Sequence, residues 1–125
     1  MESITGILDA LGVESPEELE PGEGYTIEAD GFMDLTIEKI AENRLSVAHY
    51  FKQRGDLMRD PEIVFDISDG EWTPIEFRTD PHTHDFDETG LEIDEFLDMW
   101  NRNLRNQGFI DNAEDESMVE PLGTA

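Results

Sequence analysis

The fold of this chain is decided by one alternating stretch, MDLTIEKIAENRLSVAHYFK, at residues 33–52. Apolar and polar side chains alternate over residues 33–38 and again over residues 45–52, with Glu42-Asn43 between the two runs. An alternation of period two is typical of β-strands, whose successive side chains lie on opposite faces of a sheet. Since Asn favours turns, the stretch predicts two antiparallel strands joined by a hairpin.

Three shorter segments outside this hairpin show the same pattern. Tyr25-Thr26-Ile27 predicts a short strand before it, and residues 63–67 and 72–77 predict two strands after it. Asp69-Gly70 separates the last two and predicts a hairpin turn. Because Pro74 has no main-chain N–H, its strand should lie at an edge of the sheet or contain a bulge.

Helical spacing is found at both ends of the chain. Residues 4–11 predict a short amphipathic helix, and residues 91–107 predict a long one, with Thr89 as its cap and Gly108 as its stop. The apolar stripe of the long helix consists of Ile93, Phe96, Leu97, Trp100 and Leu104. The residues that follow, 111–125, predict a disordered acidic tail.

These elements together predict a single α+β domain at residues 1–110. We expect an antiparallel sheet of four or five strands, a short N-terminal helix and a long C-terminal helix packed on one face. The 125 residues of the chain leave room for one domain with a substantial core.

The chain is strongly acidic. It contains 32 Asp and Glu residues and 8 Lys and Arg residues, which gives a net charge of −24, far above the magnitude of about 2–8 usual for a small domain. Such a field argues against direct binding to nucleic acid or to anionic membranes and favours basic protein surfaces as partners. Adaptation to molar salt, in which repulsion between carboxylates is screened, is the preferred explanation. Imitation of a polyanion is the alternative.

Composition also bears on the compartment. The chain has no cysteine, which excludes disulfides and cysteine-ligated zinc. No apolar run approaches the ~18 residues of a membrane span, and the acidic N-terminus, with Glu2 and Asp9, lacks the basic region of a signal peptide. We therefore expect a cytoplasmic protein, as a monomer or a small homo-oligomer.

The residues best suited to chemistry lie in and beside a loop predicted at residues 54–62. This candidate polar cluster consists of His49, Asp56, Asp60 and Glu62. Its carboxylates have the chemistry to ligate a cation or to orient His49 as a general base. Loop carboxylates also cap main-chain amides, and a histidine among apolar positions is commonly half-buried and hydrogen-bonded, so the structural interpretation is preferred.

His82 and His84 form a second, weaker candidate. Two histidines at positions i and i+2, beside Asp85 and Asp87, can bind zinc or nickel from an extended loop. Apart from His49, no further histidine is available as a third ligand. We therefore predict no metal, no cofactor and no catalytic residue.

Two groups of acids are the predicted partner-binding residues. The first lies on the exposed face of the last helix and consists of Glu92, Asp94, Glu95 and Asp98. The second, Glu17, Glu18 and Glu20, lies in a loop punctuated by proline and glycine. A basic protein surface, including that of a nucleic-acid-binding protein, is the partner that such groups attract.

Four stretches of the sequence are distinctive in combination. They are residues 32–38 (FMDLTIE), 49–53 (HYFKQ), 55–65 (GDLMRDPEIVF) and 100–109 (WNRNLRNQGF). Through them the chain, from about Tyr25 to Ile110, resembles a family of small uncharacterised proteins, a domain of unknown function found on plasmids, on phages and in halophilic archaea. The resemblance implies a compact fold and a mobile-element setting, but no activity and no functional residues. The His82/His84 segment stands where the family is expected to have a hydrophobic hairpin.

The predicted function is that of a non-enzymatic interaction protein of a mobile element or a halophile. Its most specific form is a DNA mimic that inhibits a host nucleic-acid-binding or defence complex. One alternative is a small metal-assisted or hydrolytic enzyme that uses Asp56, Asp60, Glu62 and the histidines. Another is a halophilic housekeeping domain. Carboxylates that converge in a pocket would favour the enzyme, and exposed rows of acids would favour the mimic.

Overall fold

The structure is a computed structural model that describes residues 2–68, 70–80 and 83–122. The hairpin predicted from residues 33–52 lies at its centre. The strands are β1 (Gly24–Ala29), β2 (Phe32–Ala41), β3 (Arg44–Gln53), β4 (Asp56–Asp66), β5 (Thr73–Thr79), β6 (Thr83–Phe86) and β7 (Val119–Leu122). They form one antiparallel sheet in the order β6-β5-β4-β3-β2-β1-β7. The helices are α1 (Glu2–Ala10), α2 (Asp94–Asn106) and α3 (Phe109–Ala113), with 3-10 turns at Pro16–Glu18 and Glu116–Met118.

The helices pack on one face of the sheet, which we call the apolar face. Ile37, Val47 and Ile63 are paired across β2, β3 and β4 and are fully buried, as are Leu104 of α2 and Phe109 of α3. All five belong to a single core cluster. Because side chains alternate along a strand, residues such as Ser46 and Glu62 lie on the opposite, polar face.

The predicted number of strands, four or five, is wrong, because the described residues form seven. The two additional strands are the edge strands β6 and β7. Each is four residues long, β6 has the polar sequence THDF, and β7 contains Pro121. Neither has the apolar alternation that reveals a strand, because an edge strand does not need to bury one complete face.

The predicted long C-terminal helix is also wrong. α2 has only 13 residues, from Asp94 to Asn106, and has no side-chain cap. Residues 91–93 are not helical, and the main-chain N–H of Leu91 donates to the carbonyl of Pro74 at 2.7 Å. Thr89 bonds to Asp87 instead of capping the helix. Pairing with β5 therefore holds the start of the predicted helix in a non-helical conformation.

Residues 54–62, predicted as a loop, are mostly strand. β3 and β4 are joined by a two-residue turn at Arg54 and Gly55, whose φ angles are 54° and 87°. Positive φ at both central positions is the geometry of the tightest hairpin turns. The polar side chains of the predicted loop therefore alternate between the two faces of β4.

The C-terminal segment also differs from its prediction. Within residues 111–122, predicted as part of a disordered acidic tail, the structure contains the end of α3, a 3-10 turn and β7. Ala113 is buried in the core, and the side-chain amide of Asn112 donates to the carbonyl of Glu28 at 2.9 Å. A few anchoring contacts thus order a segment whose composition is polar.

Pro74 was predicted to place its strand at a sheet edge or in a bulge, and the bulge is confirmed. β5 lies between β4 and β6, so it is not at an edge. Its pairing with β4 shifts where Phe65 faces Pro74 and Val64 faces Glu76, which leaves Ile75 as the extra residue of a bulge. The bulge accommodates a residue that has no N–H to donate.

No helix within the described residues is long and apolar enough to cross a membrane.

Candidate functional site

The candidate polar cluster of His49, Asp56, Asp60 and Glu62 is divided between different surfaces. His49 is buried on the apolar face, whereas Glu62 faces Ala48 and bonds to Ser46 on the polar face. Asp56 is paired with Gln53 beside the β3–β4 turn. Only Asp60 lies near His49, since both line one groove between the sheet and α2. The structure therefore does not bring the four residues together.

His49 is held by main-chain carbonyls. Its Nδ1 lies 3.1 Å from the carbonyl oxygen of Met33 and 3.3 Å from that of Asp34. Because both neighbours are acceptors, Nδ1 carries the proton of the neutral ring and Nε2 is its acceptor. The ring centroids of Trp100 and Phe109 are each 5.7 Å away. Burial lowers the pKa of His49 from its usual 6.5, although the two carbonyls oppose the shift.

This burial predicts a pH-dependent stability. The pKa of His49 is lower in the folded chain than the 6.5 of the unfolded chain, so the unfolded state binds the proton first as the pH falls. The free energy of unfolding should therefore decrease below about pH 6.5, by at most about 1.4 kcal/mol per pH unit for one proton. Urea denaturation of the wild type and of His49→Asn between pH 7 and pH 5 measures the effect.

The matched control is His84→Asn, because His84 is exposed. The slope should remain in His84→Asn and flatten in His49→Asn. An equal slope in all three proteins would contradict the assignment to His49.

The polar face carries a network that the sequence did not reveal. The Ser46 hydroxyl donates to Glu62 Oε2 at 2.6 Å, and Arg59 Nε lies 3.2 Å from Glu62 Oε1. Arg59 also approaches Asp80 at 3.5 Å, and Arg78 Nε donates to Asp80 Oδ1 at 2.9 Å. Although burial opposes it, hydrogen bonds from the Arg59 main chain and from Arg78 lower the pKa of Asp80.

This network joins β3, β4 and the end of β5. The main-chain groups of Arg59 and Asp80 reinforce it, since Asp80 N donates to Arg59 O at 2.8 Å and Arg59 N donates to Asp80 Oδ2 at 3.0 Å. Each charged group thus already has a partner of opposite sign. Such cross-strand pairs fix strand register, which is the role we assign to Glu62.

The second sequence candidate has only one described member. His84, on β6, places Nε2 at 2.8 Å from Glu76 Oε2, and His82 lies outside the described residues. Among the described residues, no three His, Asp or Glu side chains are placed to hold a metal ion. The side chain of His84 therefore contacts the Glu76 carboxylate on the neighbouring strand β5.

The acids predicted on the last helix border a cleft that the sequence did not reveal. This acidic cleft, of about 610 Å³, is lined by Glu2, Phe65, Trp72, Asp94, Leu97, Asp98 and Asn101. The carboxylates of Glu2, Asp94 and Asp98 belong to exposed residues, whereas Phe65 is fully buried. Asp94 and Asp98 are four positions apart and therefore neighbours on one side of α2. The contribution of α1 could not be foreseen, because Glu2 is distant from α2 in sequence.

The other predicted acids are exposed but do not line this cleft. Glu95 is exposed on α2, and Glu92 is exposed just before it. Glu17, Glu18 and Glu20 are exposed at the 3-10 turn after α1. The two predicted groups are therefore separate surfaces that can be tested independently.

On the other side of α2, a groove of about 250 Å³ separates the helix from the start of β2. We call it the Trp100 groove and define it by Phe32, Met33, His49, Asp60, Met99 and Trp100. Phe32, Met33 and Met99 are exposed although apolar. The apolar stripe of the last helix predicts Trp100 as a core residue. The groove itself leaves no signal in the sequence, because it joins two elements that are far apart in the chain.

Comparison with protein families gives a match over most of the chain. A family model described as a domain of unknown function, DUF6908, matches residues 3–110. The chain belongs to the DUF6908 family. The DUF6908 match extends from α1 into α3 and so includes both sides of α2 described above, while β7 lies beyond it.

Comparison with curated proteins gives no match, and comparison with solved structures gives none.

Proposed function

We propose that this DUF6908 protein is a non-enzymatic, acidic interaction protein that binds a basic protein surface at the acidic cleft. The observation that carries the proposal is the composition of the cleft, in which Glu2, Asp94 and Asp98 border Trp72 and Phe65. We expect an Arg or Lys side chain of the partner to bind in the cleft, because carboxylates attract its charge and an aromatic ring attracts a cation to its face. We place the protein in the cytoplasm, in a halophile or on a mobile element.

The charges of the cleft support this proposal. Arg105 pairs with Glu2 at 2.7 Å, but Asp94 and Asp98 have no ion pair with any described residue. By contrast, the acids of the polar-face network are already paired with Arg59 and Arg78. Two carboxylates without an internal partner, on a chain of net charge −24, can attract a basic surface at long range.

The most specific form of the proposal is mimicry of DNA, in which the partner is a nucleic-acid-binding protein of a host or defence complex. Exposed acids on α2 and in the segment after α1 favour this form over a small metal-assisted or hydrolytic enzyme. The enzyme would use His49, Asp56, Asp60 and Glu62, which lie on different surfaces. A basic partner that DNA displaces from the protein would establish mimicry, because both would then compete for one basic groove.

Charge reversal tests the exposed acids of α2, of which Asp94 and Asp98 line the cleft. The triple variant Asp94→Lys, Glu95→Lys, Asp98→Lys should lose binding at least about tenfold to basic proteins prepared from host lysate on heparin, because attraction becomes repulsion. All three side chains are exposed, so the fold should be retained. Binding is measured as retention on the immobilised protein, with and without competing duplex DNA, and the fold by circular dichroism.

The matched control reverses the same number of charges at Glu17, Glu18 and Glu20. Retention that is lost in the α2 variant and kept in the control supports the cleft. Equal loss in both variants would mean that only net charge matters, and unchanged retention in the α2 variant would contradict the proposed function. Binding that DNA does not reduce would contradict mimicry alone.

The halophilic setting predicts a separate result. Since repulsion among the acids is screened by salt, the thermal midpoint of unfolding should rise by several degrees from about 0.1 M to several molar KCl. Differential scanning calorimetry measures the midpoint. The variant Glu17→Gln, Glu18→Gln, Glu20→Gln should gain less from salt because it has less repulsion to screen. A midpoint that stays level or falls would contradict adaptation to salt and leave mimicry as the explanation of the charge.

A further inference from the structure

The Trp100 groove exposes apolar surface that a folded chain normally buries. Phe32, Met33 and Met99 are 49%, 39% and 43% exposed, and all three line the groove. Of the five large apolar side chains that are exposed among the described residues, these three share one depression. Apolar side chains gathered in this way mark binding surfaces, whereas single ones are common on any protein.

Trp100, which lines the groove, has an indole N–H without an acceptor. Trp100 is only 4% exposed, and its buried Nε1 has no hydrogen-bond partner among the described residues. Buried indole N–H groups usually have a partner, because leaving one unpaired carries the full cost of removing it from water. An acceptor supplied by a ligand would remove this cost.

His49 provides the complementary group. With Nδ1 donating to the carbonyls of Met33 and Asp34, Nε2 of the neutral ring is an acceptor, and no described residue donates to it. The ring centroids of His49 and Trp100 are 5.7 Å apart. A peptide main chain offers a carbonyl to such a donor and an N–H to such an acceptor.

We propose that the Trp100 groove binds a basic peptide segment, with an apolar side chain of the peptide among Phe32, Met33 and Met99 and its main chain hydrogen-bonded to Trp100 and His49. The inference deepens the proposed function and rests on it, because the peptide belongs to the basic partner that the acidic cleft attracts. It adds a feature that charge alone does not specify, namely an apolar anchor.

Charge complementarity favours a peptide rich in Lys or Arg. The only charged residue that lines the groove is Asp60, and no Lys or Arg lines it within the described part of the chain. Asp34, next to Met33, is exposed. A segment with basic residues on both sides of an apolar one would place its charges near these carboxylates.

The indole N–H signal of Trp100 in nuclear magnetic resonance reports on the proposed contact. The chain has two tryptophans, so the indole N–H signal of Trp100 is identified by its persistence in Trp72→Phe. The probes are two acetylated and amidated peptides of equal charge, Lys-Lys-Leu-Lys-Lys and Lys-Lys-Ser-Lys-Lys. The leucine peptide should shift the Trp100 indole signal saturably and bind at least about tenfold more tightly than the serine peptide, because only leucine is buried favourably.

Two variants control for location. Phe32→Ser should weaken binding of the leucine peptide at least about tenfold, whereas Phe86→Ser should not, because Phe86 is an equally exposed aromatic on β6 that does not line the groove. Equal binding of the two peptides, an unmoved Trp100 signal, or no saturable shift at millimolar peptide would each overturn the inference. Equal binding would leave the proposed function standing, since charge would then suffice. Loss of retention in the α2 charge-reversal variant tests that function separately.

Discussion

Replacing Trp100 by alanine should lower the free energy of unfolding by about 3–5 kcal/mol. Trp100 is 4% exposed, and its ring lies 5.7 Å from that of His49 and 6.1 Å from that of Phe96. Removing it leaves a cavity at the contact between α2 and the apolar face, in addition to the lost burial. Since small domains have about 5–15 kcal/mol of stability, the loss should be evident as a large decrease in the urea midpoint.

Met99→Ala is the matched control, because Met99 is the preceding residue of α2 and is 43% exposed. Its effect should remain within about 0.5 kcal/mol. If Trp100→Ala unfolds no more easily than Met99→Ala, α2 does not pack as described.

Replacing Gly24 by alanine should cost about 3 kcal/mol or more. Gly24 is paired with Glu38 of β2 on one side and Leu122 of β7 on the other. A Cβ atom at Gly24 would overlap the carbonyl oxygen of Ile37 and lie 2.7 Å from the Cα of Glu38. Main-chain atoms cannot rotate away as a side chain can, so β1 and β2 must separate to admit the methyl group. Thermal unfolding of Gly24→Ala measures the cost.

Gly31→Ala provides the comparison. Gly31 has a φ of 83°, but its Cβ would meet no atom within 4 Å, so the substitution pays only the conformational cost of about 1–2 kcal/mol. A Gly24→Ala protein as stable as Gly31→Ala would show that the close approach of β1 to β2 is not present.

The central strands could be predicted because one face of each is buried. Leu35 and Ile37 of β2, and Leu45 and Val47 of β3, are all fully buried, and this requirement imposes the alternation by which a strand is recognised. The bulge at Pro74 could also be predicted, since it follows from the chemistry of a single residue.

The elements that were missed or shortened depend on tertiary contacts. Residues 91–93 have helical spacing, but the hydrogen bond from Leu91 to Pro74 draws them away from α2. β7 is short and contains a proline. It pairs with β1 because α3 brings the chain back to that edge of the sheet. Such long-range contacts leave no periodic signal in the sequence.

In the candidate site, too, local patterns could be predicted and long-range contacts could not. The sequence identified Asp94 and Asp98 as exposed acids, because they lie opposite the apolar stripe of their helix. It could not place Glu2 beside them, nor Phe32 and Met33 beside Trp100, because those neighbours come from elements that meet only in the folded chain. In the polar cluster, the two-residue turn at Arg54 and Gly55 extended β4, and Glu62 and His49 consequently face opposite sides.

β7 has a consequence for the behaviour of the protein in concentrated solution. An open sheet edge presents unpaired N–H and C=O groups that can recruit a strand from another molecule. β7 occupies the edge of β1 and replaces it with four residues that include Glu120 and Pro121, one charged and the other unable to donate. The four residues of β7 thus limit pairing between molecules at this edge, and a chain cut before Val119 would expose the longer strand β1 to its own copies.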